Sequence, residues 1–215
     1  MFRPPAAEPV TFAGPVGPLE GIAEDPRNAA SPAYAVICHP HPLGGGTMTN
    51  KVVHTLARCC HELTVPTLRF NFRGVGASAG SFDDGAGETL DALAAIDWAS
   101  ARWPSRPLWL AGFSFGSFVA LRAAMQRAPA MLVTVAPPVG RWDFVGIRAP
   151  SCRWLIVQGD RDELVDATSV QHWAASLTPL PTVSLQSGVD HFFHGRLHDL
   201  KKAVLDFARA PNIEQ

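Results

Sequence analysis

Six strand-like apolar runs punctuate the chain: Ala33 to Cys38, Val65 to Phe72, Leu108 to Ala111, Met131 to Val135, Arg153 to Val157 and Thr182 to Leu185. Between and after them, Asn50 to Glu62, Gly87 to Ala101, Phe115 to Arg127, Ala167 to Leu177 and Gly195 to Ala208 repeat their apolar residues at helical spacing. Near-continuous apolar strands alternating with helices predict a mostly parallel sheet, covered on both faces and wound by right-handed crossovers. Two shorter pieces, Pro9 to Phe12 and Leu19 to Ala23, are joined through Gly14-Pro15 and Gly17-Pro18 and predict an antiparallel hairpin at one edge. Prolines and glycines fall between the periodic segments, with no internal repeat or linker, so one domain spanning residues 1–215 is expected.

Composition narrows the class. A chain of 215 residues with 47% apolar content can bury about 70% of its unfolded surface around one core. Eighteen basic and 19 acidic residues, scattered along the chain, give a formal net charge of −1 and no electrostatic reason to expect nucleic acid or an anionic membrane as partner. Met1 to Pro9 has no apolar signal core, and no run reaches the roughly 18 residues of a membrane span. A cytoplasmic protein is therefore expected. Cys38, Cys59, Cys60 and Cys152 lack paired metal spacing and suit small core positions better than a disulfide framework.

The chemistry concentrates where strands end. Gly112-Phe-Ser114-Phe-Gly116 lies between the run ending at Ala111 and the helical pattern after it, so it forms a strand-turn-helix bend. A serine on such a bend presents its hydroxyl away from the sheet, and the glycines are needed because larger side chains would collide with strand or helix. Ligands of open α/β sheets bind outside the carboxyl ends of the strands. His39-Pro-His-Pro-Leu-Gly-Gly-Gly46, Arg73-Gly-Val-Gly-Ala-Ser78, Ser114, Gly159-Asp-Arg-Asp162 and Val189-Asp-His-Phe192 all follow strands and converge on that edge.

With these motifs and the order Ser, Asp, His, the chain resembles α/β-hydrolase-fold serine hydrolases from about Pro9 to Ala208. Its HPHPLGGG and FRGVGAS segments are most similar to small lidless bacterial hydrolases of esterase type. The resemblance implies an α/β-hydrolase fold without a cap domain, no cofactor, and acyl transfer from a small-molecule acyl substrate through an acyl-enzyme. Ser114 would be the nucleophile, its plain alternative being a helix N-cap. His191 would be the base, with His194 and His198 as competitors on the final helix. The family pattern places the acid at the last aspartate of Gly-x-x-Asp, here Asp162. Asp160 would then cap the turn, and Asp143 is a remote third candidate. One oxyanion donor should be the amide of Phe115. Because Pro40 and Pro42 lack amide hydrogens, the second is expected at Leu43, with His41 as alternative. His41, Trp142 and Phe192 are the expected substrate contacts, in an open cleft, since Pro137 to Cys152 is too short and too rich in proline and glycine for a helical cap.

Three other classes compete. Gly74-Val-Gly-Ala-Ser-Ala-Gly80 resembles a dinucleotide loop, but the following strand ends in Ala111-Gly112 without the ribose-binding carboxylate. His39, His41, His191 and His194 would have to assemble for metal-assisted hydrolysis. A non-catalytic binding protein on the same fold would be expected to lack part of the Ser, Asp, His set. Oligomeric state is left open by the sequence.

Overall fold

The computed structural model describes residues 5–26 and 30–211; Met1 to Pro4 of the amino terminus considered above lie outside the described residues. Eight strands form one sheet: β1 (Ala7–Gly14), β2 (Gly17–Glu24), β3 (Tyr34–Cys38), β4 (Thr67–Phe70), β5 (Leu108–Phe113), β6 (Met131–Val135), β7 (Arg153–Gly159) and β8 (Thr182–Gln186). Their spatial order is β1-β2-β4-β3-β5-β6-β7-β8. The β1–β2 hairpin joins antiparallel to β4, and every pairing from β4 to β8 is parallel. Among the described residues four α-helices lie between strands, α1 (Lys51–Glu62), α2 (Ala86–Arg102), α3 (Phe115–Ala124) and α4 (Ala167–Ala175), and a fifth, α5 (Leu197–Arg209), follows β8. This is the mostly parallel sheet with an antiparallel edge hairpin that the strand and helix periodicities predict, in the α/β-hydrolase form that the family resemblance implies.

The period-two alternation of the strands decides which helix covers which face. Ile37, Ala111, Val133 and Leu155 pack with Val52, Val53 and Leu56 of α1 and Leu200 and Val204 of α5. Their neighbours Val36, Leu110, Leu132 and Ile156 point the other way, onto Ala92 and Ile96 of α2, Val119 of α3 and Val170 of α4. Two element boundaries differ from the sequence expectation for identifiable reasons. β4 is confined to Thr67–Phe70 because Pro66 precedes it and the Phe72 amide turns instead to the His39 ring. β5 continues to Phe113 because Gly112 and Phe113 still pair with Thr134 and Val135 of β6. Cys38, Cys59 and Cys60 are buried, Cys152 is partly so, and none is disulfide-bonded.

Charged and polar groups tie strand ends to helices. After β4, Arg73 donates from its backbone amide, Nε and Nη2 to the fully buried carboxylate of Asp91 on α2, at 2.9, 3.0 and 2.8 Å. Gly87 makes room for this pair, since a Cβ there would lie 2.0 Å from Arg73 Nη1. Removing one partner of such a pair strands a buried charge and costs about 3–5 kcal/mol. At the start of α2, the buried Glu88 carboxylate accepts the amides of Asp83 and Gly85, holding a negative group at the positive end of the helix. His39 is a neutral staple between β3 and β4: Nδ1–H donates to Pro40 O at 2.7 Å and Nε2 accepts the Phe72 amide at 3.0 Å. His61 of α1 lies buried against Thr67 Oγ1, 2.9 Å from Nε2, and its Nδ1 has no partner among the described residues.

Burial lowers both His39 and His61 to a pKa of about 4. In an unfolded chain each would titrate near 6.5. Between these values the unfolded chain binds protons that the folded chain does not, so stability rises with pH through this window and is lost as pH falls. From pH 6.5 to 5, above most carboxylate titration, the loss should be roughly 1.5 kcal/mol per histidine. Urea unfolding at several pH values should show the midpoint falling over this interval, and His61→Gln should remove about half of the slope.

Candidate active site

The bend after β5 is set by close backbone approaches. Ser114 has φ 53° and ψ −122°, a conformation that L-residues avoid, and its amide donates to Val135 O at 2.8 Å. Such strain costs on the order of 1–3 kcal/mol and persists only where the surroundings enforce it. Here Gly112 and Gly116 enforce it. A Cβ on Gly112 would sit 2.1 Å from Gly116 O, and one on Gly116 would sit 2.3 Å from Cys38 O. Ser117 Oγ, 2.8 Å from the carbonyl oxygens of both Gly112 and Val135, braces the bend from within α3. Although Ser114 occupies the N-cap position of α3, its side chain makes no capping hydrogen bond.

Instead Ser114 Oγ lies 3.1 Å from Nε2 of His191, and His191 Nδ1 lies 2.8 Å from Asp162 Oδ2. The carboxylate fixes the tautomer: Nδ1 carries the hydrogen and donates to it, which leaves Nε2 to accept from the serine hydroxyl. His191 and the Asp162 side chain are buried. Asp162 is held by three further donors, the amides of Leu164 and Val165 on Oδ1 at 2.9 and 2.7 Å and Gln158 Nε2 on Oδ2 at 3.1 Å. The competing acids are engaged elsewhere. Asp160 is exposed and accepts the Gly188 amide at 2.6 Å, and Asp143 is exposed and accepts the Val145 amide. His194 pairs with Asp190 at 2.8 Å, and His198 lies exposed beside Asp199.

The turn after β3 lies beside the start of α3, with the His41 and Phe115 rings 5.4 Å apart. After β3, the amides of Gly44 and Gly46 donate to His41 O, and that of Gly45 to Pro42 O. With Pro40 and Pro42 lacking hydrogens, His41 and Leu43 are left as the uncommitted amides of the Pro40–Gly46 turn. The Phe115 amide, first of α3, likewise makes no hydrogen bond among the described residues. The Leu43 side chain is 74% exposed, so only its backbone can matter to the turn.

Aromatic rings wall the bend. The half-buried His41 ring lies 4.9 Å from Phe82, 5.4 Å from Phe115 and 5.5 Å from Trp142, centre to centre. Burial lowers its pKa; Asp84 acts in the raising direction and Arg141 in the lowering one. Trp142 comes from the β6–β7 loop, stacks on Phe118 and donates from Nε1 to Asp84 Oδ1 at 3.0 Å, joining that loop to the one before α2. Phe192 lies apart from this group, 5.0 Å from the His191 ring and 6.3 Å from Phe113.

The four histidines that the metal alternative would need do not face one another. Both His39 ring nitrogens are used within the fold, His191 faces Ser114 and Asp162, and His194 faces Asp190. Among the described residues no group of three or more His, Cys, Asp or Glu side chains is placed to hold a metal ion. Two residues at the site escaped the sequence reading: Gln158, under Asp162, and Glu163, whose Oε2 accepts the His191 amide at 3.2 Å. A polar residue inside an otherwise apolar strand, Arg153 to Gly159, was the available signal for the first.

Comparison with known proteins extends these observations. Residues 67–150 match the family model of the X-Pro dipeptidyl-peptidase (S15) family. A serine hydrolase without a lid from Xanthomonas campestris is 45% identical, superposes with a TM-score of 0.90, and covers 97% of this chain and 96% of its own. An α/β serine hydrolase homologue from Coxiella burnetii is 42% identical with a TM-score of 0.90, over 94% of this chain and 97% of its own. An uncharacterized protein of Rickettsia prowazekii is 34% identical over 92% of this chain and 87% of its own length. Among the described residues no helix is long and apolar enough to cross a membrane.

Proposed function

Because the chain belongs to the α/β serine hydrolases without a lid, we propose that it cleaves a small ester or related acyl compound through an acyl-enzyme formed on Ser114. The observation that carries this reading is the unbroken hydrogen-bonded series Ser114 Oγ, His191 ring, Asp162 carboxylate. Ser114 Oγ attacks the substrate carbonyl carbon while His191 Nε2 takes its proton, and Asp162 stabilises the resulting imidazolium. The carbonyl oxygen becomes an anion, received by the amides of Phe115 and Leu43; His41 is the alternative for the second. Collapse of the intermediate expels the alcohol, protonated by His191, and leaves the acyl group on Ser114. Water then repeats the sequence, giving its proton to His191 and releasing the carboxylic acid.

His41, Trp142 and Phe192 line the substrate on this reading. The match to the S15 family raises the amide alternative, so an X-Pro dipeptide anilide belongs in the substrate panel beside esters and thioesters. Ester turnover is expected to exceed that of the anilide, because Trp142 and Phe192 offer apolar contact to a short acyl group.

Ser114→Ala should remove covalent labelling by a fluorophosphonate and lower kcat by on the order of 10⁶ while the circular dichroism spectrum is kept. Turnover by the purified variant within tenfold of wild type would overturn the nucleophile assignment.

The two aspartates of the β7 loop should separate. Asp162→Asn presents an amide to His191 Nδ1 and should cost about 10⁴ in kcat through the wrong tautomer. Asp160→Asn should act on stability alone, through the Gly188 amide. Kinetics and melting curves of the two purified variants decide between them.

Seventeen residues, 136–152, connect β6 to β7, too few for a packed helical subdomain over Ser114. A short acyl chain can gain about 0.8 kcal/mol per methylene against the aromatic wall, and a long one runs out into water. The profile of kcat/KM against acyl length should therefore level off within a few carbons, with no rate jump where substrate begins to aggregate. A continuing rise to long chains would reveal a deep acyl tunnel.

A further inference from the structure

Gln158 is an anomaly of burial. Trp154, Ile156 and Gln158 share one face of β7, and the first two pack in the core beneath α4. Gln158 is equally buried but polar, with no exposed surface. Its Oε1 has no hydrogen-bond partner among the described residues. Leaving an amide oxygen buried and unpaired lowers stability, so an apolar residue of similar size would serve the core better. The other end of the side chain explains its presence. Nε2 faces three acceptors, Asp162 Oδ2 and Gly159 O at 3.1 Å and Val165 O at 3.4 Å. Turning the amide over would set its oxygen against all three, so the donor end is fixed toward Asp162.

We infer that Gln158 is a positioning residue for hydrolysis: acting through Asp162, its amide orients the Oδ2 atom that holds His191 and tempers the charge that His191 meets. This inference rests on the reading of Asp162 as the acid. The division of labour is visible in the contacts. The Leu164 and Val165 amides anchor Oδ1, whereas Gln158 supplies the second donor to Oδ2, the atom shared with His191 Nδ1. A carboxylate oxygen that accepts one hydrogen bond fewer is more basic and pulls harder on a neighbouring imidazolium. Beside His191, Glu163 accepts its backbone amide and Asp190 is turned to His194. They stay in place when Gln158 is changed.

Gln158→Leu and Gln158→Met remove both the donor and the orphaned oxygen, and the unbranched methionine adapts to the gap if leucine does not fit. The expected result is a kcat lower by about tenfold with KM within about twofold, an acid limb of the kcat profile moved up by about half a pH unit, and a melting temperature equal to or above wild type. A purely structural role would lower the melting temperature and leave the acid limb where it is. That result, or a kcat within twofold of wild type in a folded variant, overturns the inference. Asp162→Asn run in parallel separates the levels. If it keeps wild-type turnover, the acid assignment fails and Gln158 falls with it; if it loses turnover while the Gln158 variants do not, only the role of Gln158 fails.

Discussion

Helix α3 starts closer to strand β3 than any side chain permits. With Cys38 and Gly112 in register across β3 and β5, the first turn of α3 folds back over both strand ends, and the space a methyl group would need at Gly116 is filled by the Cys38 and His39 carbonyls. The chain can make this turn only through the backbone angles that Ser114 adopts. From that contact follow the direction of the serine hydroxyl and the nearness of the Pro40–Gly46 turn to the start of α3. The bend needs no ligand to assemble it, because it is fixed by packing of backbone on backbone, the least compressible material in the fold.

Charge inside the molecule follows a related logic. Arg73 with Asp91, Glu88 with the amides before α2, and Arg69 with Glu24 all lie buried where loops leave strands or where the hairpin joins the parallel sheet. The two faces of the sheet itself are covered almost wholly by apolar side chains. Each buried pair is specific in direction and partner, whereas hydrophobic contacts tolerate sliding. The strands and helices supply cohesion, and the pairs determine where the loops at the carboxyl edge stand. The proposed reading of Ser114, His191 and Asp162 depends on that second function, since all three side chains leave from loops or bends.

Legibility in the sequence followed local constraint. The strand after Arg153 and the helix after Asn50 were readable because apolar periodicity and an N-capping Asn50 are written in consecutive residues. Ser114, Asp162 and His191 were readable because a bend demanding two glycines and two loops of fixed order leave few alternatives, and their side chains do meet by hydrogen bonds in the fold. The choice of Asp162 over Asp160 leaned on family pattern; the physical reason, that the Leu164 and Val165 amides anchor Asp162 while the Gly188 amide takes Asp160, lies in contacts no spacing reveals. Gln158 stayed hidden for the same reason, since its partner is four residues away around a turn. That the histidines of the metal alternative stay apart could not be read either, because spacing along the chain says nothing about ring nitrogens already engaged, as those of His39 are.

The β6–β7 connection holds one more implication. It leaves the sheet at the carboxyl end of β6 and re-enters at the amino end of β7, and Val145, near its middle, is 96% exposed. Chain can be added at such a tip with little penalty, since loop closure grows only with the logarithm of length. The scaffold beneath would not register the addition: strands β6 and β7 are already paired, and Trp142 with Asp84 pins the near side of the loop. A new subdomain set there would sit on the same loop that carries Trp142 to His41 and Phe115. The lidless molecule is in this sense a chassis with a vacant mounting point, on which substrate size could be reset by grafting at one position without reworking the parts that would do the chemistry.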